Sequence, residues 1–348
     1  MDSQTVAAYD LGNKEAAIVV RAGFILENTG DIDTTVDVWA EGALFYGMSD
    51  KKKIFVPSKT TISVVENFQF ASYRMPSGIG EIEETITWKC SDNSVMRESI
   101  NVKLYFILFN PKSQWYGNPI WADALRYIIP KVKGLSDMQR LYRGITEAIN
   151  AEKQLSYIPI TNYVELVSKV YKIFYFSQFL SDMFRREQPD GKETTYRVNC
   201  TDCAAIVMSF ANMLGGNLYC ERMQNTRKDS PFSLNPIIPI GNSEIGSYNA
   251  FVYHETAMRH DGTDNDSDNT IHKVYDASLK IEVPSYGYVV SVGMSFSQYT
   301  DAQVHTSLVG VQAGSDSYRE CLCPITKEGV GSCDYDVQEG YHALPAIV

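Results

Sequence analysis

The chain has 348 residues, 44% hydrophobic and 21% charged, with 31 basic against 42 acidic side chains and a net charge of −11. That balance repels phosphate backbones and anionic lipid surfaces, which argues against nucleic-acid and membrane partners. The first ten residues lack the basic and apolar regions of a secretory leader, no apolar run reaches the roughly 18 residues of a membrane span, and the seven cysteines are sparse and odd in number; a cytoplasmic protein is expected.

From Ala16 to Phe109 the segments read as strands. Ala16 to Leu26, Thr34 to Ala40, Lys53 to Val56, Thr60 to Val65, Glu81 to Lys89 and Ser99 to Phe109 are rich in β-branched and aromatic residues, with apolar alternation clearest around Val36-Asp37-Val38 and Ile82 to Trp88. Asn28 to Asp31 and Ser91 to Ser94 supply turn residues between them. An antiparallel β-sandwich of Ig-like type is expected over residues 1–110.

At Asn110-Pro111 the character changes, and after a bridge holding Trp115 and Trp121 the helical period takes over in a second domain, residues 111–348, for an α+β protein overall. Ser136 to Gln139 has capping-box spacing ahead of Met138, Leu141, Tyr142 and Ile145 on one face. Asn162 to Glu165 opens a further helix through Val167, Val170, Tyr171 and Phe174, whose aromatic stripe reads as core. A third helix begins at Cys200, carries Ile206, Val207, Phe210, Met213 and Leu214 on its apolar stripe, and ends at Gly215-Gly216. Strands return at Tyr248 to Glu255 and Thr270 to Ile281, joined by a loop that reads as a solvated polar tip; its Asp261, Asp264, Asp266 and Asp268 are candidates for calcium but lack the EF-hand glycine and glutamate. Further strands are expected at Tyr288 to Met294 and Val304 to Val311, where no function is legible.

The chemistry concentrates at Cys200. A cysteine in the first helical turn sits beside orphan N–H groups and the positive end of the helix dipole, which favour a thiolate nucleophile. Asp202 adds a first-turn charge that helps the helix and slightly opposes the thiolate, whereas Cys203 falls on the apolar stripe and reads as core. A zinc site pairing Cys200 and Cys203 with Cys321 and Cys323 is disfavoured, because a structural site places its Cys-x-x-Cys knuckles on loops. No metal ligands are assigned. A cysteine nucleophile needs a base and a group that orients the base, and Asp276 sits on a strand pattern where a carboxylate is out of place unless it is paired or exposed.

A helix opened by Cys-x-Asp-x-Ala, here Cys200, Asp202 and Ala204, followed by a strand bearing Asp, a small residue and Ser, here Asp276-Ala277-Ser278, resembles the transglutaminase-like superfamily. Leu214-Gly215 matches the helix exit and Tyr157-Ile158-Pro159 an upstream Tyr-x-Pro element. The resemblance covers roughly residues 120 to 285. It implies a papain-like core using Cys, His and Asp in that chain order, preceded by a β-sandwich. The family's His-Ala-aromatic element is matched by Asn249-Ala250-Phe251, with asparagine in place of the histidine. His254 lies five residues on and faces the other way by the period-two rule, so it needs a bulge or register shift to reach Cys200; His272 is the second candidate.

Two readings stand. In the first, Cys200, His254 and Asp276 carry out acyl transfer or hydrolysis on a protein or peptide amide through a thioester, without a cofactor and with Asn249 as a substrate-binding residue. In the other, Asn249 marks a catalytically inactive domain that binds protein or carbohydrate.

Overall fold

The computed structural model describes residues 8–12, 18–42, 47–70, 76–91, 99–111, 122–158, 173–184, 195–224, 231–234, 237–242, 250–259, 272–283, 288–289, 294–296, 322, 325–326, 329–330 and 344–345. The protein is mixed α+β, with β-sheets first and helices after them. The chain divides into two compact units, one of Thr5–Phe109 and the other of Met1–Gln4 with Asn110–Val348.

The first unit contains β1 (Ala8–Asp10), β2 (Ile18–Asn28), β3 (Thr34–Gly42), β4 (Gly47–Met48), β5 (Lys52–Val56), β6 (Thr60–Phe70), β7 (Gly80–Cys90) and β8 (Ser99–Ile107). One sheet runs β1-β8-β7-β3-β4, with β5 also on β3, while β2 and β6 pair with each other. Alternation has its expected cause: Val36, Val38 and Ala40 point inward on β3, and Ile86 and Trp88 on β7. They meet Ile18, Phe68 and Phe70 from the β2–β6 ribbon in one core, where Phe24 and Phe68 pack edge-on against Trp88 with ring centroids 4.9 Å and 4.8 Å from its own. Among the described residues of this unit the pairings are antiparallel except β1 on β8, which is parallel and departs from the expected all-antiparallel arrangement.

The second unit opens with α1 (Ala122–Val132), a helix that sequence periodicity does not single out. Next comes α2 (Met138–Asn150), capped by Asp137 rather than Ser136: the Asp137 carboxylate accepts the Arg140 N–H at 2.9 Å. β9 (Leu155–Tyr157) follows, then β10 (Ile173–Phe174), which pairs in parallel with Leu344–Pro345. The helix expected through Phe174 is therefore corrected at its end, because a short apolar aromatic run satisfies either period; residues 162–172 lie outside the described residues. Phe174 leads into α3 (Phe176–Phe184).

β11 (Tyr196–Val198) leads into α4 (Cys200–Met213). Every residue of α4 is buried, so this is a helix enclosed on all sides rather than one lying on a core. It ends as its two glycines require: Gly215 adopts φ +97°, Gly215 N–H donates to the Asn212 carbonyl and Gly216 N–H to that of Ala211 at 2.8 Å.

The strands that follow α4 include β12 (Tyr219–Gln224), β13 (Phe232–Ser233), β14 (Ile237–Pro239), β15 (Ala250–Phe251), β16 (Tyr253–Arg259), β17 (His272–Tyr275), β18 (Leu279–Val283), β19 (Tyr288–Val289) and β20 (Met294–Phe296). They form an antiparallel sheet β12-β16-β17-β20, a sheet β14-β18-β19 and the pair β13-β15. Both strands expected across 248–281 are broken: at Val252, and at Asp276–Ser278 between β17 and β18. Asn249, the acidic loop from Asp261 to Asp268, Cys321, Cys323 and the strand expected at Val304 to Val311 fall outside the described residues.

Candidate active site

β11 runs parallel to β9 with Val198 opposite Tyr157, and the Ile158 N–H donates to the Val198 carbonyl at 2.8 Å. The chain then enters α4 through Asn199, which keeps extended backbone. Asn199 Oδ1 accepts the Asp202 N–H at 3.0 Å, and Asp202 Oδ2 accepts the Asn199 N–H at 3.1 Å. This reciprocal capping box turns the Asp202 carboxylate back onto the cap. Cys200 is the first residue of the helix and its N–H is one of the four without an acceptor in the helical ladder.

β16 packs on α4 and carries His254, whose ring is fully buried. β16 pairs with β17 up to Ala257 opposite Tyr275, the residue before Asp276. His254 Nε2 lies 2.8 Å from Asp276 Oδ2. Asp276 is aimed by its neighbour: Oδ1 accepts the Ser278 N–H at 2.8 Å and the Ser278 Oγ–H at 2.6 Å. Phe251 stacks on the imidazole, with centroids 5.3 Å apart and planes 17° from parallel. The break at Val252 explains why the period-two rule misreads His254. β15 pairs with β13 and β16 with β12, so facing is not carried across the bend.

Burial works against a charged imidazole here, but the Asp276 charge and hydrogen bond, joined by hydrogen bonding and charge from Cys200, outweigh it and hold the His254 pKa up at about 10. The pairing with Asp276 thus favours the charged form of the ring. With Nε2 on Asp276, Nδ1 is the ring nitrogen that the carboxylate leaves over.

Two tyrosines that sequence reasoning did not assign to the site complete it. Tyr157 is buried; desolvation foremost, then the charges of Cys200, Asp276 and Cys203 and a hydrogen bond with Cys200, push its hydroxyl pKa well above the ordinary value, so it stays a donor. Parallel pairing of β9 with β11 is what brings it there. Tyr253 is half-buried, its pKa raised to about 12 by burial and by the charges of Cys200 and Glu255, against opposing effects from Thr201 and Arg222. The Arg222 guanidinium lies 4.2 Å from the Tyr253 ring centre and donates from Nε to Glu255 Oε1 at 2.7 Å.

The structure thus gathers Cys200, His254 and Asp276. His272 opens β17 opposite Phe296; the imidazole that meets the Asp276 carboxylate is that of His254. Among the described residues no group of three or more His, Cys, Asp or Glu side chains is arranged to hold a metal. No helix among the described residues is long and apolar enough to cross a membrane.

No protein-family model matches the chain, and no curated protein matches it. Among solved structures it is similar to the crystal structure of red sea bream transglutaminase, at 10% identity and a TM-score of 0.37 over 91% of this chain. The chain spans 58% of the length of that structure.

Proposed function

We propose that the protein is a cysteine-dependent acyltransferase or hydrolase acting on a protein or peptide amide, built as a transglutaminase-like papain-fold domain (residues 111–348) behind an Ig-like sandwich (residues 1–110) in a cytoplasmic protein. The observation that carries the reading is the buried series Cys200, His254, Asp276, with the sulfur at a helix start and the imidazole fixed by a carboxylate that is itself held. In the first half-reaction the Cys200 thiolate attacks the carbonyl carbon. The C–N bond breaks, Nδ1 of the imidazolium gives its proton to the departing amine, and a thioester remains. In the second, water or an amine loses a proton to Nδ1 as it attacks the thioester, the C–S bond breaks, and the thiolate–imidazolium pair is restored. Asp276 keeps the proton on Nε2 and stabilises the charged ring. The Tyr157 hydroxyl and the Cys200 N–H are the donors available to a developing oxyanion.

Asn249 belongs to this reading as a substrate-binding residue, since His254 supplies the imidazole that its position lacks.

The test is to offer glutaminyl and peptide amides, with and without a primary amine, to wild-type protein and to Cys200→Ala. Acid-quenched intact mass should show an acyl adduct confined to wild type and released by hydroxylamine. No adduct, together with a Cys200 thiol that alkylates no faster than free cysteine at neutral pH, sinks the proposal and leaves a binding module.

A further inference from the structure

The acyl-transfer reading uses one of two cysteines in the same helical turn. Cys203 is buried, three residues after Cys200, and both thiols are free. Burial foremost, then the charges of Asp202, Asp276 and Cys200, push the Cys203 thiol pKa well up, so Cys203 keeps its proton and lies close enough to feel Cys200. We propose that Cys200 and Cys203 form a reversible, peroxide-responsive disulfide that shields the nucleophile from irreversible oxidation.

Three observations support it. First, the Cys-x-x-Cys pair occupies the first and fourth positions of α4, so the leading sulfur has the helix N-terminus and the His254 imidazolium beside it, the surroundings that make a thiol prone to oxidation. Second, the alternative partner is engaged elsewhere: Cys220 directs its sulfur at Met208 Sδ, 3.7 Å away. Third, the geometry is close but imperfect. Residues three apart on a helix have Cβ atoms roughly 5–6 Å apart, whereas a disulfide needs about 3.8 Å. The first turn must tighten by about 1–2 Å, against the Cys203 N–H to Asn199 carbonyl bond of 3.0 Å. A bond closed against that resistance is easily reduced again.

The chemistry balances with hydrogen peroxide as the oxidant. The Cys200 thiolate attacks one peroxide oxygen, the O–O bond breaks, and the hydroxide released takes up a proton to leave as water; sulfur is oxidised to a sulfenic acid and peroxide is reduced. The Cys203 sulfur then attacks that sulfenic sulfur, the S–S bond forms, the S–O bond breaks, and hydroxide leaves with the Cys203 proton as water. A small oxidant suits the site, because Cys200 is only 6% exposed.

The inference does not depend on the acyl-transfer reading, since its measurement is a modification and not an activity. Full-length protein is treated with hydrogen peroxide, blocked with iodoacetamide, digested and fragmented. The expected result is a loss of two hydrogen atoms located within residues 200–203, reversed by dithiothreitol, with Cys200 labelling recovered. In Cys203→Ala the same treatment should drive Cys200 to sulfinic acid, and recovery of label after dithiothreitol should fall at least about fivefold. Cys203→Ser, checked for native circular dichroism, gives the same comparison if the alanine variant does not fold. Sulfinic acid on Cys200 of wild type without the internal link, or equal recovery in wild type and variants, overturns the proposal.

Discussion

Replacing Asp276 by Asn should remove the charge that dominates the site while keeping the shape that Ser278 holds. An imidazole held at about 10 instead of 6.5 represents about 5 kcal/mol of preference for the charged ring in the folded protein. The folded value is raised, so this stabilisation is fully present below about pH 6.5 and is lost as pH rises through about 10. Asp276→Asn leaves a buried ring whose desolvation is no longer answered, and breaking one side of a buried pair costs about 3–5 kcal/mol. For a unit of this size that is a fall in melting temperature on the order of 10 °C near neutral pH. Thermal denaturation followed by circular dichroism at a series of pH values, for wild type and variant, measures it. The gap should be widest near pH 6 and close as pH approaches about 10. A gap of constant size across that range, or no gap at all, refutes the charged-pair account of His254.

Four other outcomes are expected. His254→Gln should slow alkylation of Cys200 by iodoacetamide at least about tenfold at neutral pH, read by peptide mass spectrometry, because the positive ring beside the sulfur is gone. Ser278→Ala removes the 2.6 Å hydroxyl bond to Asp276 Oδ1 and should cost about 1.5–3 kcal/mol in urea denaturation. Asn199→Ala deletes the α4 cap and should cost about 1 kcal/mol by the same measurement. Gly241→Ala should be worse than any of these: its φ is +75°, and a Cβ there runs into the Leu155 carbonyl at the foot of the strand that carries Tyr157. A melting temperature unchanged in that variant contradicts the backbone conformation at Gly241.

How much of this was legible in the amino-acid order varies with how local the cause is. The strands of the first unit are legible because Val36, Val38 and Ala40 face one common core and their neighbours do not. Asp276 is legible because its partner Ser278 sits two residues away and supplies both donors to one carboxylate oxygen. His254 is only half legible: the residue is there, but its facing depends on a bend at Val252 that no alternation rule reports. Tyr157 is not legible at all as a neighbour of Cys200, since a parallel strand pairing across some forty residues of chain brings them together. The full enclosure of α4 escapes for a related reason. A stripe of Ile206, Val207 and Phe210 records one buried face, while Ser209 and Asn212 are buried by elements from elsewhere in the chain.

That enclosure bears on when the surroundings of Cys200 come into being. A helix with solvent on no side cannot exchange its amide hydrogens by fraying, so the amides from Val207 onward should exchange only through global opening of the second unit. The same holds in reverse during synthesis. Until α2, β12 and β16 have closed around it, the segment has no partners for its buried surface. On the proposed function, a chain in which these elements have not closed carries a cysteine at position 200 without the His254 ring beside it.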